Sequence, residues 1–216
     1  MKDNALKYDF TLQLDNASNT HHIQLGFVPE GSFVLDVGCH SGIFGEALEK
    51  RKSARVVGID ADDSALAIAR TRISDAKKID IESEGWADVL TTQGWREFDV
   101  IIFGDVLEHT RDPESILQAT KKLLKPGGRI VVSIPNVANL RVRLSLLRGK
   151  FEYADSGILD RTHLRFFTRS SARKMIENCG YKIISEDVAG YTLPHRLIRM
   201  FPGLLAVQFV FAATPQ

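Results

Sequence analysis

Phe33-Val-Leu-Asp-Val-Gly-Cys-His-Ser-Gly42 is the stretch of sequence on which the fold depends. Four of its first five residues, Phe33, Val34, Leu35 and Val37, are typical of a buried β-strand, and Gly38 and Gly42 bracket a tight turn. An amphipathic helical pattern follows at once, so that backbone N–H groups of the turn can approach a ligand. The dinucleotide-binding fingerprint is absent, because G-x-G-x-x-G from Gly38 would require glycine where His40 and Ile43 stand.

A second apolar strand, Val56-Val-Gly-Ile-Asp60, ends in an acid 24 positions after Asp36. In nucleotide-binding α/β folds, an acid at this place accepts hydrogen bonds from ribose hydroxyls. The two oxygens of a carboxylate can serve both hydroxyls of one ribose. Alternatively, Asp60 caps the helix that follows, but Asp62 and Asp63 can serve as that cap. We therefore favour the ribose role for Asp60.

Composition bounds the class of protein. The chain has 216 residues, 44% of them apolar and 25% charged, with a net charge of +1. These values suit one globular α/β domain and give no overall attraction to nucleic acid. Cys39 and Cys179 form no metal-like pair, no signal peptide is visible and no run approaches 18 apolar residues. We expect a cytoplasmic protein with an N-terminal arm at 1–30 and one domain at 31–216.

Strand and helix patterns alternate along the chain, which predicts a parallel sheet covered on both faces. The alternation breaks after the fifth strand, and we expect a helical and irregular lid at about 136–168. The predicted strands are 33–37, 55–60, 77–81, 98–103, 129–134, 181–188 and 205–212, and the predicted helices are 42–52, 63–74, 112–124, 137–147 and 170–178.

Acids follow several of the predicted strands. Asp36, Asp60, Asp80 and Asp105 should converge at the carboxyl edge of the sheet, where ligands of such folds bind. They would repel phosphates, because no Lys or Arg stands among them to compensate. A ligand with a ribose, an adenine amino group and a positive charge fits better, which favours S-adenosylmethionine over NAD or ATP.

Four motifs in this order resemble the class I S-adenosylmethionine-dependent methyltransferases: Val34-Leu-Asp-Val-Gly-Cys-His-Ser-Gly42, Gly58-Ile-Asp60, Phe98-Asp-Val-Ile-Ile-Phe-Gly-Asp-Val-Leu-Glu-His109 and Leu124-Lys-Pro-Gly-Gly128. The resemblance covers about 30–190. It implies a seven-stranded, doubly wound sheet whose last strand is antiparallel, with S-adenosylhomocysteine as product. Carried onto this chain, the cofactor site comprises Asp36, Gly38, His40, Gly42, Asp60, Ala61, Asp80, Ile81, Gly104 and Asp105. His40 departs from the small residue that is common at that position.

A narrower resemblance points to bacterial glycan and lipid-linked sugar pathways, and thus to polysaccharide biosynthesis. It rests on Ile134-Pro-Asn136, Gly157-Ile-Leu-Asp-Arg-Thr-His-Leu-Arg-Phe-Phe-Thr168 and the Phe-rich ending Phe201-Pro-Gly-Leu-Leu-Ala-Val-Gln-Phe-Val-Phe211. We therefore expect O-methylation of a small or sugar-like acceptor. A non-catalytic regulatory protein that binds the cofactor and an RNA-type or quinone-type methyltransferase are the alternatives. No motif indicates a nucleic-acid partner.

Residues 139–174 are strongly basic, with nine Lys or Arg against three acids. This excess suggests an anionic acceptor or peripheral contact with an anionic membrane surface. A charged helix face that is merely solvated explains the pattern equally well. Oligomeric state cannot be predicted from these features.

For catalysis we predict His163 as the general base that takes the acceptor's proton, because histidine titrates near neutral pH. Asp160, three residues earlier, could orient its ring, and His109 is the second candidate. Asp105, Glu108 and His109 have a spacing that could hold a divalent metal on one helix face. A structural role for that trio is more common, so no metal is expected.

Overall fold

The computed structural model describes residues 12–216, which contain seven strands in one sheet. The strands are β1 (Phe33–Val37), β2 (Arg55–Asp60), β3 (Asp75–Lys78), β4 (Phe98–Gly104), β5 (Leu124–Pro135), β6 (Tyr181–Ala189) and β7 (Gln208–Pro215). The helices are α1 (Thr20–Phe27), α2 (Ile43–Lys52), α3 (Asp63–Arg72), α4 (Trp86–Thr92), α5 (Pro113–Ala119), α6 (Leu140–Leu147), α7 (Arg169–Asn178), α8 (His195–Met200) and α9 (Pro202–Leu205).

The sheet has the order β3-β2-β1-β4-β5-β7-β6. The pairs among β1 to β5 are parallel, whereas β7 runs antiparallel to both of its neighbours, β5 and β6. This is the mostly parallel, seven-stranded sheet with an antiparallel last strand that the sequence predicts.

Strand β1 shows why the centre of the sheet is apolar on both faces. Leu35 and Val37 belong to one hydrophobic cluster and Val34 to a second. All three are fully buried, because successive side chains of a strand point to opposite faces and helices cover both. The largely apolar segment Phe33–Val37 is therefore a central strand.

The glycine turn after β1 wraps around the end of β2. Gly38 and Gly42 adopt φ values of 70° and 75°, and His40 between them also lies in the left-handed region, at 46°. The backbone N–H of Gly38 donates to the Ile59 carbonyl oxygen at 2.8 Å, and that of His40 donates to the Asp60 carboxylate at 2.8 Å. The hydrogen bond to Asp60 fixes His40 in a backbone conformation that residues other than glycine seldom adopt.

Several predicted boundaries were wrong. Strand β3 lies at 75–78 instead of 77–81, so the chain from residue 79 onward turns over the carboxyl edge of the sheet. Helix α6 begins at Leu140 and not at 137, because the Asn139 side chain caps it by accepting from the Arg141 N–H. Helix α5 ends at Ala119 and continues as one 3-10 turn.

The structure describes the predicted N-terminal arm in part and the predicted lid throughout. Of the arm predicted at 1–30, residues 1–11 lie outside the described residues. The remainder includes α1, whose Ile23 is buried in the core. Between α6 and α7, residues 148–168 are irregular, and the N–H groups of Leu164 and Arg165 donate to the Glu108 carbonyl oxygen. The lid function of this segment stays a prediction.

Across residues 12–216, every helix is too short or too polar to span a bilayer.

Gly58 in β2 allows the turn to approach the strand. A Cβ at this position would lie 2.5 Å from Cys39 Sγ and 2.7 Å from Ile73 Cδ1. We expect Gly58→Ala to lower the free energy of unfolding by about 1–3 kcal/mol, because overpacking forces both neighbours to move. Urea unfolding measures the change, and Gly26→Ala, whose added Cβ meets nothing within 4 Å, is the matched control. Equal stability of the two variants would show that the turn is not tightly packed.

Candidate active site

A cavity of about 910 Å³ opens at the carboxyl ends of β1, β2 and β4. Every cofactor residue predicted from the sequence lines it except Gly42. Gly42 instead caps the start of α2, where an added Cβ would lie 3.1 Å from the Ala69 backbone. The predicted catalytic residues His109, Asp160 and His163 line the same cavity. The fold thus brings together strand ends and a distant loop at one site.

Asp60 is the acid at the end of β2. Its two carboxylate oxygens accept hydrogen bonds from the N–H groups of His40, at 2.8 Å, and Asp62, at 2.9 Å. The cap of α3 is Asp62, which accepts from the Ser64 and Ala65 N–H groups. The capping role considered for Asp60 therefore belongs to its neighbour. A carboxylate offers about four acceptor positions, so Asp60 retains capacity for a ligand's hydroxyls.

Asp80 and Ile81 lie in the turn that follows β3, at another part of the cavity wall. One Asp80 oxygen accepts from the Glu82 N–H at 2.9 Å, and the side chain is exposed. Ile79 is buried beside them and Ile81 is half-buried. An acid next to two isoleucines offers a hydrogen-bond acceptor beside an apolar surface, which suits an aromatic base with an amino group.

Asp36 is buried at the base of the cavity. Burial, and secondarily the nearby Asp60 carboxylate, raise the pKa of Asp36 to about 7. At Gly38, an added Cβ would lie 2.7 Å from Val106, so only glycine leaves this part of the wall open. Buried acids around a glycine cradle suit a ligand that carries an amine and a positive charge. S-adenosylmethionine has these groups, so the residues present fit it.

Asp105 lies at the centre of a hydrogen-bond network, with a left-handed φ of 55°. Its carboxylate accepts from Ser133 Oγ at 2.7 Å and from Gln208 Nε2 at 2.7 Å. Gln208 in turn accepts from the Thr20 hydroxyl. Thr20 and Gln208 both line the cavity, and the sequence analysis missed them. A single amide in the Val- and Phe-rich strand β7 was the one available signal for Gln208.

Glu108, His109 and His163 form a cluster in which one potential ligand atom of each residue lies within 4.8 Å of the others. Glu108 is 1% exposed, and within residues 12–216 neither of its carboxylate oxygens has a hydrogen-bond partner. Burial and the Asp105 charge raise the pKa of Glu108 well above its usual value. The set could hold a divalent cation, and it differs from the predicted trio by containing His163 in place of Asp105.

Backbone carbonyl groups orient both histidine rings of this cluster. Nδ1 of His163 lies 3.1 Å from the Ile158 carbonyl oxygen, and Nδ1 of His109 lies 3.2 Å from that of Thr162. The Asp160 carboxylate accepts from the N–H and hydroxyl of Thr162, so it shapes the loop that carries His163. Burial, followed by the neighbouring His109, lowers the pKa of His163.

The basic side chains of 139–174 lie elsewhere. Within residues 12–216, neither Lys nor Arg contributes to the cavity lining. Arg161 pairs with Asp155 at 2.8 Å, and both Arg169 and Arg173 pair with Glu186. The anionic acceptor expected from this excess of charge therefore has no cationic counterpart in the lining.

Comparison with known proteins identifies the family of this chain. A family model described as a methyltransferase domain matches residues 14–186. The ubiquinone biosynthesis O-methyltransferase of Coxiella burnetii is 29% identical over 181 residues, which are 83% of this chain and 75% of that protein. The enzyme of the same name from Idiomarina loihiensis is 36% identical over 121 residues, 53% of this chain and about half (49%) of that protein.

Solved structures support the fold. A structure described as a SAM-dependent methyltransferase from Methanosarcina mazei superposes with a TM-score of 0.63 at 18% identity, covering 89% of this chain and 96% of that one. At this identity, the likeness establishes the shared architecture alone.

Asp36 should make the stability of the ligand-free protein depend on pH. Its pKa is 3.8 in an unfolded chain and about 7 when folded, so its ionisation destabilises the fold as pH rises through this window. We expect Asp36→Asn to be more stable relative to wild type at pH 8 than at pH 5, by on the order of 1–3 kcal/mol. Urea unfolding at both pH values measures this difference, with exposed Asp88→Asn as control. The same difference at both pH values would contradict a raised pKa.

Proposed function

The chain belongs to the S-adenosylmethionine-dependent methyltransferases, and we propose that it methylates the hydroxyl oxygen of a small, neutral acceptor. The cofactor of this family is S-adenosylmethionine, and S-adenosylhomocysteine is the product. The observation that carries the proposal is the division of one cavity into an acidic part and an acceptor-side cluster of Glu108, His109 and His163. The first part suits a cationic nucleoside, and the second offers groups that can accept a proton.

S-adenosylmethionine supplies an electrophilic methyl group on a positively charged sulfur. In our proposal, Asp60 accepts from the ribose hydroxyls and Asp80 accepts from the adenine amino group. Asp36 and Asp105 lie around the positively charged part, where their charges favour a cation. Holding cofactor and acceptor in one cavity accounts for much of the acceleration, since transfer requires the reacting atoms to be in line.

Two observations support a neutral hydroxyl acceptor. The curated relatives are named O-methyltransferases, which favours transfer to oxygen. The described lining holds several acids and lacks Lys or Arg, so a phosphorylated acceptor would meet repulsion there. A phenol-like or sugar-like acceptor is compatible with both observations. The narrower glycan-pathway resemblance remains a hypothesis about which of these it is.

His163 is the residue that we propose as general base. Burial and the neighbouring His109 lower its pKa, which keeps the ring neutral and able to accept a proton at neutral pH. Its contact with Ile158 through Nδ1 holds the ring in one orientation. Asp160 acts as a positioning residue through Thr162. His109 packs edge-on against His163 at 4.7 Å between ring centroids and is the second candidate.

Asp60→Ala should weaken binding of S-adenosylhomocysteine by about 1–3 kcal/mol, because ribose hydroxyls would lose a half-buried acceptor. Isothermal titration calorimetry measures the affinity directly. Asp63→Ala is the matched control, since Asp63 is an exposed acid outside the lining. Unchanged affinity in Asp60→Ala would remove Asp60 from the ribose site.

His163→Ala should lower kcat by about 10²–10⁴-fold, the loss typical of a positioned base, with S-adenosylhomocysteine affinity unchanged. Formation of S-adenosylhomocysteine is measured with matched neutral and phosphorylated acceptors, one phenol and one monosaccharide. His22→Ala is the control, because His22 lies outside the lining. Wild-type rates in His163→Ala would exclude His163 as the base.

The matched neutral and phosphorylated acceptors also test the charge of the acceptor. Faster turnover of a phosphorylated acceptor by the wild-type protein would contradict the neutral-acceptor proposal.

A divalent cation is a second role that the acceptor-side cluster could support. Two histidines and one carboxylate are ligands that first-row transition metals accept, and both rings are already oriented through Nδ1. The proton-transfer proposal requires activity that survives chelation by EDTA. Loss of activity with EDTA and its recovery with Zn²⁺ or Mn²⁺ would assign His163 to a cation instead.

A further inference from the structure

Exposed apolar side chains are concentrated in two short segments. Among residues 12–216, eleven of the fourteen exposed large hydrophobic side chains fall within 140–153 and 191–201. Contiguous patches of exposed apolar surface mark interaction sites on proteins. The eleven side chains are Leu140, Leu144, Leu146, Leu147, Phe151, Tyr153, Tyr191, Leu193, Leu197, Met200 and Phe201.

Helix α6 buries little of itself against the rest of the protein. Val142 is its one buried residue, whereas Leu147 is 83% exposed. Helices α8 and α9 are similar, since Ile198 is the one buried residue of the two. Packing against the core therefore explains few of the apolar side chains in these helices.

Positive charge surrounds the same side chains. Residues 136–153 contain four Lys or Arg and one acid, Glu152, and residues 190–207 contain Arg196 and Arg199 and no acid. Arg199 lies 3.5 Å from Asp187 of β6, and the other five basic side chains are exposed. We call 140–153 and 191–201 together the apolar-basic surface. Its composition is typical of proteins that bind at the interface of an anionic bilayer.

Hydrogen bonds join residues that flank the two segments. The side-chain amides of Asn136 and Asn139 both donate to the Ala206 carbonyl oxygen at 2.9 Å. The start of α6 is thereby fixed beside the end of α9. Because the fold fixes this junction, both segments can meet the same partner.

The apolar-basic surface borders the cavity. Tyr191 is 70% exposed and also lines the cavity. Phe151 packs edge-on against Phe166 at 5.8 Å between ring centroids, and Phe166 lies 6.2 Å from His163 in the same way. A partner bound to this surface would therefore lie beside the acceptor side of the cavity.

We propose that the apolar-basic surface docks onto a lipid bilayer that carries anionic headgroups. The leucines and aromatic rings enter the headgroup region, and the Lys and Arg side chains contact lipid phosphates. A second copy of this chain fits the surface less well, because a symmetric contact would place its six cations against one another with one acid, Glu152, in the two segments. Docking would give an apolar acceptor a route from the bilayer into the cavity, a consequence that rests on the proposed function.

Flotation with vesicles of phosphatidylglycerol or phosphatidylcholine tests this proposal on the full chain. Wild-type protein should bind phosphatidylglycerol vesicles at least 10-fold more strongly than phosphatidylcholine vesicles. This binding should weaken as salt is raised, because screening reduces the attraction. The double variant L144E/L147E should bind phosphatidylglycerol vesicles at least 10-fold more weakly than wild type. Both leucines are exposed, so the variant should fold. An unchanged affinity for S-adenosylhomocysteine would show, independently of vesicle binding, that the variant is folded with an intact cofactor site.

Val89→Glu and Ile184→Glu are the matched controls, because both residues are exposed and apolar but lie outside the apolar-basic surface. They should bind vesicles as wild type does. Absence of wild-type binding to phosphatidylglycerol, or unchanged binding by L144E/L147E, would overturn the proposal. A wild-type dimer in light scattering that the same double variant dissociates would assign the surface to a second copy instead.

Discussion

The hydrogen bond from the His40 N–H to the Asp60 carboxylate joins the turn after β1 to the end of β2, and the site depends on it. It fixes a left-handed residue between two left-handed glycines, and the N–H groups of Gly38 and Cys39 reinforce it by donating to the Ile59 carbonyl oxygen. The turn cannot move without breaking these contacts with β2. One oxygen of Asp60 accepts from the His40 N–H in the turn, and the other accepts from the Asp62 N–H. The orientation of the Asp60 carboxylate toward the cavity is therefore set before any ligand binds.

The same arrangement gathers acids that destabilise one another. Burial raises the pKa of Asp36 and of Glu108, and so does repulsion from Asp60 at Asp36 and from Asp105 at Glu108. Keeping these acids charged is a free-energy cost in the ligand-free protein. A cationic ligand offsets part of this cost at Asp36, so it should bind and stabilise the fold together. An anionic nucleotide would add to the cost. The electrostatics of the strand ends thus favour the same cofactor class as the family comparison.

Much of the framework could be predicted from the sequence, because it is coded locally. The apolar runs of β1, β2 and β4 and the glycines of the first turn need no knowledge of distant contacts. Gln208 could not be assigned in this way, since its contact with Asp105 spans 103 positions. The proximity of His163 to Glu108 depends on an irregular loop held by backbone hydrogen bonds, for which no periodic pattern exists. The basic excess at 139–174 was visible, but the ion pairs to Glu186 that draw Arg169 and Arg173 away from the cavity were not.

Isothermal titration calorimetry of the wild-type protein with S-adenosylhomocysteine and with NAD shows whether the acid-lined strand ends bind a methyl donor's nucleoside and reject a pyrophosphate. Saturable binding of S-adenosylhomocysteine at one site per chain, with no measurable heat from NAD, is the predicted result. Comparable binding of NAD, or no binding of S-adenosylhomocysteine, would contradict the account.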